Sequence, residues 1–249
     1  MPADNGIYET LDDWWDPVGS CAGLHAMNRA RADYFLSVLE SRLGPDWKRR
    51  PVLEVGCGGG LLTEELARAG VRVTAIDFAH RALRIARDHA REQNLAPRYV
   101  RAVAERLAFA DETFAAVMSS DFLEHVSDLS QVVQECARVL APGGVFLYDT
   151  INRTWLTRMF HVTLLQEWRS IVPAHTHDWH QFIKPAELAS VMRATGLEPV
   201  ETRGLFPVHP IRFGLYVLKH RPGKERMPAL RISSLTSGSY IGYGVKGTR

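Results

Sequence analysis

The sequence predicts an α/β fold in which a mostly parallel sheet is flanked by helices. Between residues 51 and 150, short apolar segments alternate with amphipathic segments of helical period, as in successive β/α units. Residues 51–70 have the pattern of a buried strand, a glycine turn and a helix, which is how such a unit begins. A chain of 249 residues can bury one large core, so we expect one domain with appendages.

We expect seven strands in this sheet. Their predicted positions are 51–55, 71–76, 97–102, 114–119 and 144–149 in the alternating region, then 197–200 and 240–246. Helices are predicted at 60–69, 79–93 and 128–140, with a later helix that begins at Pro185 and stops at Gly196. Ligands of such sheets bind at the carboxyl ends of the strands.

Outside the alternating region the chain is less regular. Its predicted parts are an N-terminal helical arm at 1–50, a cofactor-binding core at 51–153, an amphipathic insert at 154–183 and the end of the sheet at 184–249. The arm contains a predicted helix at about 27–43, and Trp14 and Trp15 either anchor the arm or form a lid. We expect a mobile loop over 219–237, because this stretch is basic and contains proline.

The composition excludes several classes of function. Apolar residues make up 46% and charged residues 23%, and a net charge of +2 predicts no nucleic-acid partner. Cys21, Cys57 and Cys136 are far apart, which predicts neither a disulfide framework nor a zinc knuckle. No apolar run reaches the roughly 18 residues that span a bilayer, and no signal segment precedes the core. We expect a cytoplasmic protein, either free or peripheral at the inner face of the membrane.

The glycines of residues 56–60 follow the first predicted strand. They permit positive φ and let the backbone approach a ligand where a Cβ would block it. Asp77 ends the second predicted strand about 20 residues later, where a carboxylate binds ribose hydroxyls. Leu61 stands where dinucleotide-binding loops have a further glycine, which argues against a nicotinamide or flavin cofactor. Alternatively, the glycines only form a tight turn and Asp77 only caps the next helix.

The strand, the loop E-V-G-C-G-G-G at 54–60, the helix and the strand that ends in aspartate resemble motif I and its acidic partner in class I S-adenosylmethionine-dependent methyltransferases. This resemblance implies a Rossmann-like fold with S-adenosylmethionine as the cofactor. The residues that it places at the cofactor are Gly56, Cys57, Gly58, Asp77 and Phe78.

The adenine end of the expected cofactor site departs from the usual pattern. Methyltransferases often have an aspartate at the position of Val103, where it accepts a hydrogen bond from the adenine amino group. Because that acid is missing, we expect backbone groups near Ala104 and Glu105, or apolar packing, to hold the adenine.

A second informative group follows the fourth predicted strand. Asp121, Glu124 and His125 lie at i, i+3 and i+4, so a helical turn over 121–125 would place them on one face. There they could hold a divalent cation or accept a proton. Alternatively, the acid and the histidine only shape the loop.

The insert combines large apolar residues with basic ones, which predicts one or two amphipathic helices. Such helices can cover a hydrophobic substrate, contact a membrane surface through 154–172 or form a homodimer contact. Three histidines follow, at positions 175, 177 and 180. We interpret them as the wall of a polar pocket rather than as a metal site.

Six segments carry a narrower resemblance. They are W-W-D at 14–16, L-H-x-x-N-x-x-R at 24–31, V-G-C-G-G-G at 55–60, L-E-H-V at 123–126, N-R at 152–153 and T-H-D-W-H-Q-F-I-K-P-A-E-L at 176–188. Together they resemble the ubiquinone-biosynthesis O-methyltransferase family, whose members methylate catechol-type hydroxyls on polyprenylated rings. The resemblance covers residues 12–205, and its first and last segments are more specific than the glycine loop.

This resemblance implies roles for further residues. Arg31 binds the cofactor near its carboxylate, and Ser120 lines the same pocket. Asp121, Glu124 and His125 match positions that hold a divalent ion, magnesium or zinc, although the family usually has glutamate in place of Asp121. The residues that we place on the substrate side are His25, Asn152, His177 and Asp178.

The sequence thus predicts an S-adenosylmethionine-dependent O-methyltransferase acting on a phenol or catechol with an apolar tail. A phenol titrates near 10, so little phenolate exists at neutral pH. A bound cation would stabilise the phenolate; without one, His125, Glu124 or His177 is the candidate catalytic group. The alternatives are a methyltransferase of a soluble O- or N-acceptor and an inactive cofactor-binding protein.

Overall fold

The computed structural model describes residues 5–168, 171, 173, 176–219 and 224–248. Within these residues, eight strands form one mixed sheet. They are β1 (Val52–Val55), β2 (Val73–Asp77), β3 (Arg98–Arg101), β4 (Phe114–Ser120), β5 (Leu140–Ile151), β6 (Leu197–Pro207), β7 (Leu230–Ser233) and β8 (Ser239–Lys246). Their order across the sheet is β3-β2-β1-β4-β5-β8-β6-β7. β1 to β5 are parallel, and β8, β6 and β7 continue the sheet with antiparallel pairs.

Helices cover both faces of the sheet. They are α1 (Ala22–Leu43), α2 (Leu61–Arg68), α3 (His80–Glu92), α4 (Leu129–Val139), α5 (Trp155–Thr157), α6 (Pro185–Ala194) and α7 (Pro210–Lys219). α5 continues directly into a π-helix, Arg158–Trp168, and short 3₁₀ turns occur at Asn5–Glu9, Trp47–Arg49, Leu123–His125 and Trp179–Gln181. In this described part of the chain, no helix has both the length and the apolar character that crossing a bilayer requires.

The core lies on both sides of the parallel strands because successive strand residues point to opposite faces. Val52 belongs to a cluster with Phe35 of α1 and Leu66 of α2. Leu53 belongs to the opposite cluster, with Val133 of α4. Each side chain is fully buried, which stabilises the fold by about 1.5–3 kcal/mol per side chain.

The structure confirms the five predicted parallel strands. It differs from the prediction in the N-terminal arm and in the region after β6. The sheet has eight strands in the described residues rather than seven, because β7 pairs with the edge of β6. β7 lies inside the stretch 219–237 that we expected to be a mobile loop. Its four residues have no apolar run, and the pairing with β6 supplies the backbone hydrogen bonds. α1 begins at Ala22 instead of about residue 27, and α7 had no prediction.

Candidate cofactor and catalytic site

A cavity of about 820 Å³ opens where the parallel strands end. Residues directly after β1, β2 and β4 line it, because the carboxyl ends of parallel strands meet at one edge of the sheet. The π-helix and α7 line its far end. Its volume is typical of pockets that enclose a small molecule.

At Gly56 and Gly58, the glycine loop after β1 faces this cavity with backbone atoms and no side chains. Gly56 and Gly58 have φ values of 76° and 51°, in the left-handed region that favours glycine. A Cβ on Gly56 would lie 2.2 Å from the ring of Phe122, and one on Gly58 would lie 2.5 Å from the ring of Trp14. The loop therefore has no room for side chains at either position.

Asp77 joins the glycine loop to the start of α3. Its two carboxylate oxygens accept hydrogen bonds from the N–H of Gly58 at 2.8 Å and of Ala79 at 2.9 Å. Burial raises the pKa of Asp77, and these N–H groups oppose the rise. Asp77 therefore holds the glycine loop against the residue that precedes α3 while it also lines the cavity.

A buried charge network forms the floor beside the loop. Arg31 is 3% exposed, and its Nη2 donates to Asp121 at 2.7 Å and to Asp149 at 2.9 Å. Ser120 Oγ donates to the other oxygen of Asp149 at 2.6 Å. The Nε–H of Arg31 is buried without a partner among the described residues. A buried N–H of this kind in a cavity wall suits the carboxylate of an amino-acid cofactor.

The structure does not place Asp121, Glu124 and His125 on one helical face. Asp121 precedes the 3₁₀ turn with a φ of 46° and faces Arg31. The carboxyl of Glu124 lies beneath the cavity wall and accepts from the hydroxyl of Thr150 at 2.7 Å. Burial and the charge of Asp121 raise the pKa of Glu124 well above its ordinary value.

These positions do not fit the predicted magnesium or zinc site. Asp121 is committed to an ion pair with Arg31, and the carboxyl of Glu124 is bound to the hydroxyl of Thr150 beneath the cavity wall. Over the ranges that the structure describes, no group of three His, Cys, Asp or Glu residues is arranged to hold a metal ion. The sequence spacing alone could not show that Asp121 turns toward Arg31.

Three imidazoles meet in the middle of the cavity. The ring of His177 lies 5.7 Å from that of His125 and 5.9 Å from that of His161, which comes from the π-helix. Burial lowers the pKa of His125 to about 4 and the pKa values of His161 and His177 to about 3. All three rings are therefore neutral near pH 7 and have a basic nitrogen.

His161 had no prediction, because no sequence motif marks it. His180 is exposed, and His175 lies outside the described residues.

The leading segment, residues 5–21, covers the cofactor end of the cavity. Trp14 is 4% exposed and packs on the glycine loop. Trp15 donates its indole N–H to the carbonyl of Gly59 at 3.0 Å and stacks on His89 at 3.5 Å. These contacts anchor the leading segment, and Trp14 also lines the cavity, while a role as a lid over substrate stays a prediction. Tyr8, which had no prediction, also lines the cavity.

The predicted site residues form two groups, those that line the cavity and those that do not. Those that line the cavity are Arg31, Gly56, Cys57, Gly58, Asp77, Phe78, Ala104, Glu105, Ser120, Asp121, His125 and His177. Val103, at the position that often has an acid, is 54% exposed in the same wall and offers an apolar surface.

Three predicted substrate-side residues make structural contacts instead. His25 Nε2 is 2.9 Å from the carbonyl oxygen of Trp14. Asn152 donates its side-chain N–H to the carbonyl of Thr236 at 2.7 Å. Asp178 accepts from a backbone N–H and caps the 3₁₀ turn Trp179–Gln181. Within the described residues, these three side chains lie outside the cavity wall.

Comparison with known proteins gives the family of this chain. Residues 53–148 match a protein-family model described as a methyltransferase domain. The ubiquinone biosynthesis O-methyltransferase of Alkalilimnicola ehrlichii is 41% identical over 193 residues, which cover 77% of this chain and 76% of that protein. Its counterpart from Ralstonia nicotianae is 38% identical over 234 residues, covering 92% and 95%.

The chain belongs to the ubiquinone biosynthesis O-methyltransferase family. It is an S-adenosylmethionine-dependent O-methyltransferase with the class I methyltransferase fold. A solved S-adenosylmethionine-dependent methyltransferase from Thermotoga maritima superposes with a TM-score of 0.61 at 18% identity, covering 89% of this chain and 90% of that one. At that identity, the likeness supports the fold alone.

Proposed function

We propose that the enzyme methylates a phenolic hydroxyl on a catechol-type ring that carries an apolar tail, a polyprenylated quinone precursor. The observation that carries this proposal is the continuity of the cavity, which runs from the glycine loop past the imidazoles to an apolar lobe. The names of the family relatives support the same acceptor class.

The far lobe favours a lipophilic acceptor over a soluble one. Its lining residues are Leu156, Phe160, Leu165, Phe213, Met227 and Leu230. They come from α5, the π-helix, α7, the segment that leads to β7 and β7 itself. An apolar tail in this lobe gains about 25 cal/mol for each Å² that leaves water, whereas a small polar acceptor leaves the lobe unfilled.

The residues of the chain bind and orient the reactants. The nucleoside of the cofactor is held by the backbone of Gly56 and Gly58 and by the carboxylate of Asp77. The Nε–H of Arg31 binds the carboxylate of the cofactor's amino-acid part. When bound, S-adenosylmethionine supplies a methyl group on a positively charged sulfur, so transfer needs an ionised oxygen in line with it. The side chains must therefore align the phenol and remove its proton.

His125 is the proton acceptor in this proposal. It is neutral at physiological pH, lines the cavity and has His177 stacked beside it. The phenol O–H bond breaks as an imidazole nitrogen takes the proton, and the oxygen then takes the methyl group as the bond from that carbon to sulfur breaks, which leaves a neutral thioether. The imidazolium afterwards releases its proton to water. No step is assigned to a metal, because Asp121 and Glu124 are engaged elsewhere.

A panel of acceptors tests this function. Methyl transfer from labelled S-adenosylmethionine is measured with a polyprenyl catechol, the same ring without its tail, and an aromatic amine, each with and without chelator. We expect the tailed catechol to have a kcat/KM at least about tenfold above the others, unaffected by chelation. Preference for the amine would refute the acceptor class. Loss of activity on chelation that magnesium or zinc restores would refute the role of His125.

The outer surfaces of α5, the π-helix and α7 extend the proposal to a membrane contact. Trp155 of α5 is 72% exposed, Trp168 of the π-helix 66% and Ile211 of α7 82%. Arg212 and Lys219 are exposed on the same helix as Ile211. An apolar surface with basic residues suits the headgroup region of an anionic bilayer. This face contacts the inner surface of the membrane, where the mouth of the lobe receives the acceptor tail.

Vesicle co-sedimentation tests the membrane contact. Trp155→Ser with Ile211→Ser should reduce binding to anionic vesicles at least about fivefold, because two exposed apolar anchors are lost. The matched control is Val200→Ser, an exposed apolar residue of β6 that should bind as the wild type does. If the double variant binds vesicles normally but loses a dimer in gel filtration, the face is a subunit interface and the membrane proposal is wrong.

A further inference from the structure

Two pairs of side chains on the π-helix face different neighbours. Phe160 and Leu165 line the apolar lobe. His161 contacts the ring of His177, with the centroids 5.9 Å apart, and Gln166 binds the backbone of His177. Each pair consists of residues five apart, which are neighbours where hydrogen bonds join residue i to residue i+5. On an α-helix such residues lie about 140° apart around the axis, so α-helical winding could not present both pairs in this way.

Gln166 makes a two-point contact with the backbone of His177. Its Oε1 accepts from the backbone N–H of His177 at 2.8 Å, and its Nε2 donates to the carbonyl oxygen of the same residue at 3.4 Å. The carboxamide therefore pairs with this backbone as a neighbouring strand would. Gln166 is 8% exposed and lies outside the cavity wall that the described residues form, so it can act on the reactants only through His177.

The position of the His177 ring depends on this contact. Its Nδ1 is buried and has no hydrogen-bond partner among the residues that the structure describes. The ring lines the cavity and packs against His125, at 5.7 Å between centroids, and against Phe182, at 5.8 Å. Since the ring is held by packing, the hydrogen bonds of Gln166 to the backbone decide where the imidazole lies.

The same helix forms part of the wall of the apolar lobe. Phe160 stacks on Phe213 of α7 with the ring centroids 5.8 Å apart. Leu165 is 4% exposed and belongs to a buried cluster that includes residues of α7. Phe160 and Leu165 each directly precede a residue that contacts His177. A tail in the lobe therefore packs against the same turns of helix that hold His177.

We infer that Gln166 is a positioning residue for methyl transfer: it fastens His177 to the π-helix, so that an acceptor tail packed in the apolar lobe also fixes the imidazole of His177 beside the reacting ring. The inference rests on the proposed function, in which the acceptor carries such a tail. Binding energy from a remote part of a substrate can orient groups at the reacting centre, and it then raises kcat rather than only lowering KM.

Kinetics of Gln166→Met test this coupling. The variant keeps the length of the side chain and removes both hydrogen bonds to His177. In the wild type, we expect an alkyl catechol to have a kcat about tenfold above that of catechol without a tail. In the variant the tail should still lower KM, because the lobe is intact, but the two kcat values should agree within about twofold.

Gln93→Met is the matched control, because it makes the same change at an exposed position just after α3 and should behave as the wild type does. A tail that changes only KM in the wild type would overturn the inference. So would a variant in which the tail still raises kcat. An equal loss of kcat for both acceptors in Gln166→Met would also overturn it, since a general structural role has that effect.

Hydrogen exchange tests the inference without methyl transfer. In protein labelled with ¹⁵N-histidine, the backbone amide of His177 is assigned with His177→Gln, and an alkylbenzene serves as a probe that fills the lobe but has no hydroxyl. We expect the alkylbenzene to slow exchange of this amide at least about fivefold in the wild type, because the π-helix and Gln166 are held in place. In Gln166→Met the amide should exchange at least about tenfold faster than in the wild type and should not respond to the probe.

These results separate the inference from the acceptor proposal. If the His177 amide exchanges equally fast in the wild type and in Gln166→Met, or ignores the alkylbenzene in the wild type, the inference fails even where a tailed catechol is methylated as proposed. If the amide responds as expected but no phenol is methylated, the proposed function fails instead. The wild-type response to the alkylbenzene does not require Gln166→Met to fold, so it decides the outcome where the variant is unstable.

Discussion

In the proposed function, one side chain, that of Arg31, serves both the fold and the cofactor. Its guanidinium neutralises two carboxylates in the floor of the cavity, and burial raises the pKa of Asp149 to about 7 although Arg31 opposes that rise. The Nε–H of the same group has no partner among the described residues, and we propose that it binds the carboxylate of the cofactor. A buried ion pair of this kind is costly to break, because the remaining charge keeps its desolvation penalty.

Arg31→Met should therefore lose both properties. We expect the free energy of unfolding to fall by about 3 kcal/mol and the affinity for S-adenosylmethionine to fall at least about tenfold. Urea unfolding and calorimetric titration measure the two effects. Arg29→Met, which removes a neighbouring exposed ion pair, should change the unfolding free energy by under about 1 kcal/mol. Normal cofactor affinity in Arg31→Met would contradict the role of Arg31.

Gly58→Ala tests whether a side chain at the glycine loop interferes with binding of the cofactor. The new Cβ would clash with the indole of Trp14. Gly70→Ala is the control: Gly70 also has a positive φ, 82°, but a Cβ there would have no atom within 4 Å. We expect both variants to lose about 1 kcal/mol of stability for the backbone conformation. Only Gly58→Ala should also weaken S-adenosylmethionine binding in a calorimetric titration. Equal cofactor affinities in the two variants would show that the loop tolerates a side chain.

The π-helix carries a partly buried histidine, His161, into the cavity, and this makes the stability of the protein depend on pH. Burial lowers the pKa of His161 from 6.5 to about 3, so the folded protein keeps the ring neutral while the unfolded chain takes up a proton below about pH 6.5. The stability that the neutral ring of His161 contributes is therefore fully present above that pH and is lost as the pH falls toward 3.

His161→Phe should remove this share of the acid sensitivity while keeping a ring against His177 and Phe182. Between pH 7 and about pH 5, we expect the wild type to lose about 1–2 kcal/mol more unfolding free energy than the variant. Urea unfolding at the two pH values measures this difference. His180→Phe, at an exposed position, is the control and should follow the wild type. Parallel pH profiles for wild type and His161→Phe would refute the assignment.

At the scale of the whole molecule, local patterns predicted the cofactor half and failed where distant segments meet. The strand, glycine loop and acid of β1 and β2 are short-range features, so periodicity and spacing were sufficient. The contact between Tyr8 and His125 joins residues 117 positions apart, and no local pattern indicates it. The same holds for the pairing of β7 with β6, and for Asp121, whose partner Arg31 lies 90 positions away.

The dependence of kcat/KM on tail length tests the central claim, which is that one cavity takes the cofactor at its glycine loop and a tailed phenol at its apolar lobe. In a series of catechols with progressively longer alkyl tails, each buried CH₂ should contribute about 0.8 kcal/mol, or about fourfold in kcat/KM. We predict such a rise until the lobe is full, then a plateau, with the methyl group found on oxygen. A flat series, or a methyl group found on another atom, would contradict the account.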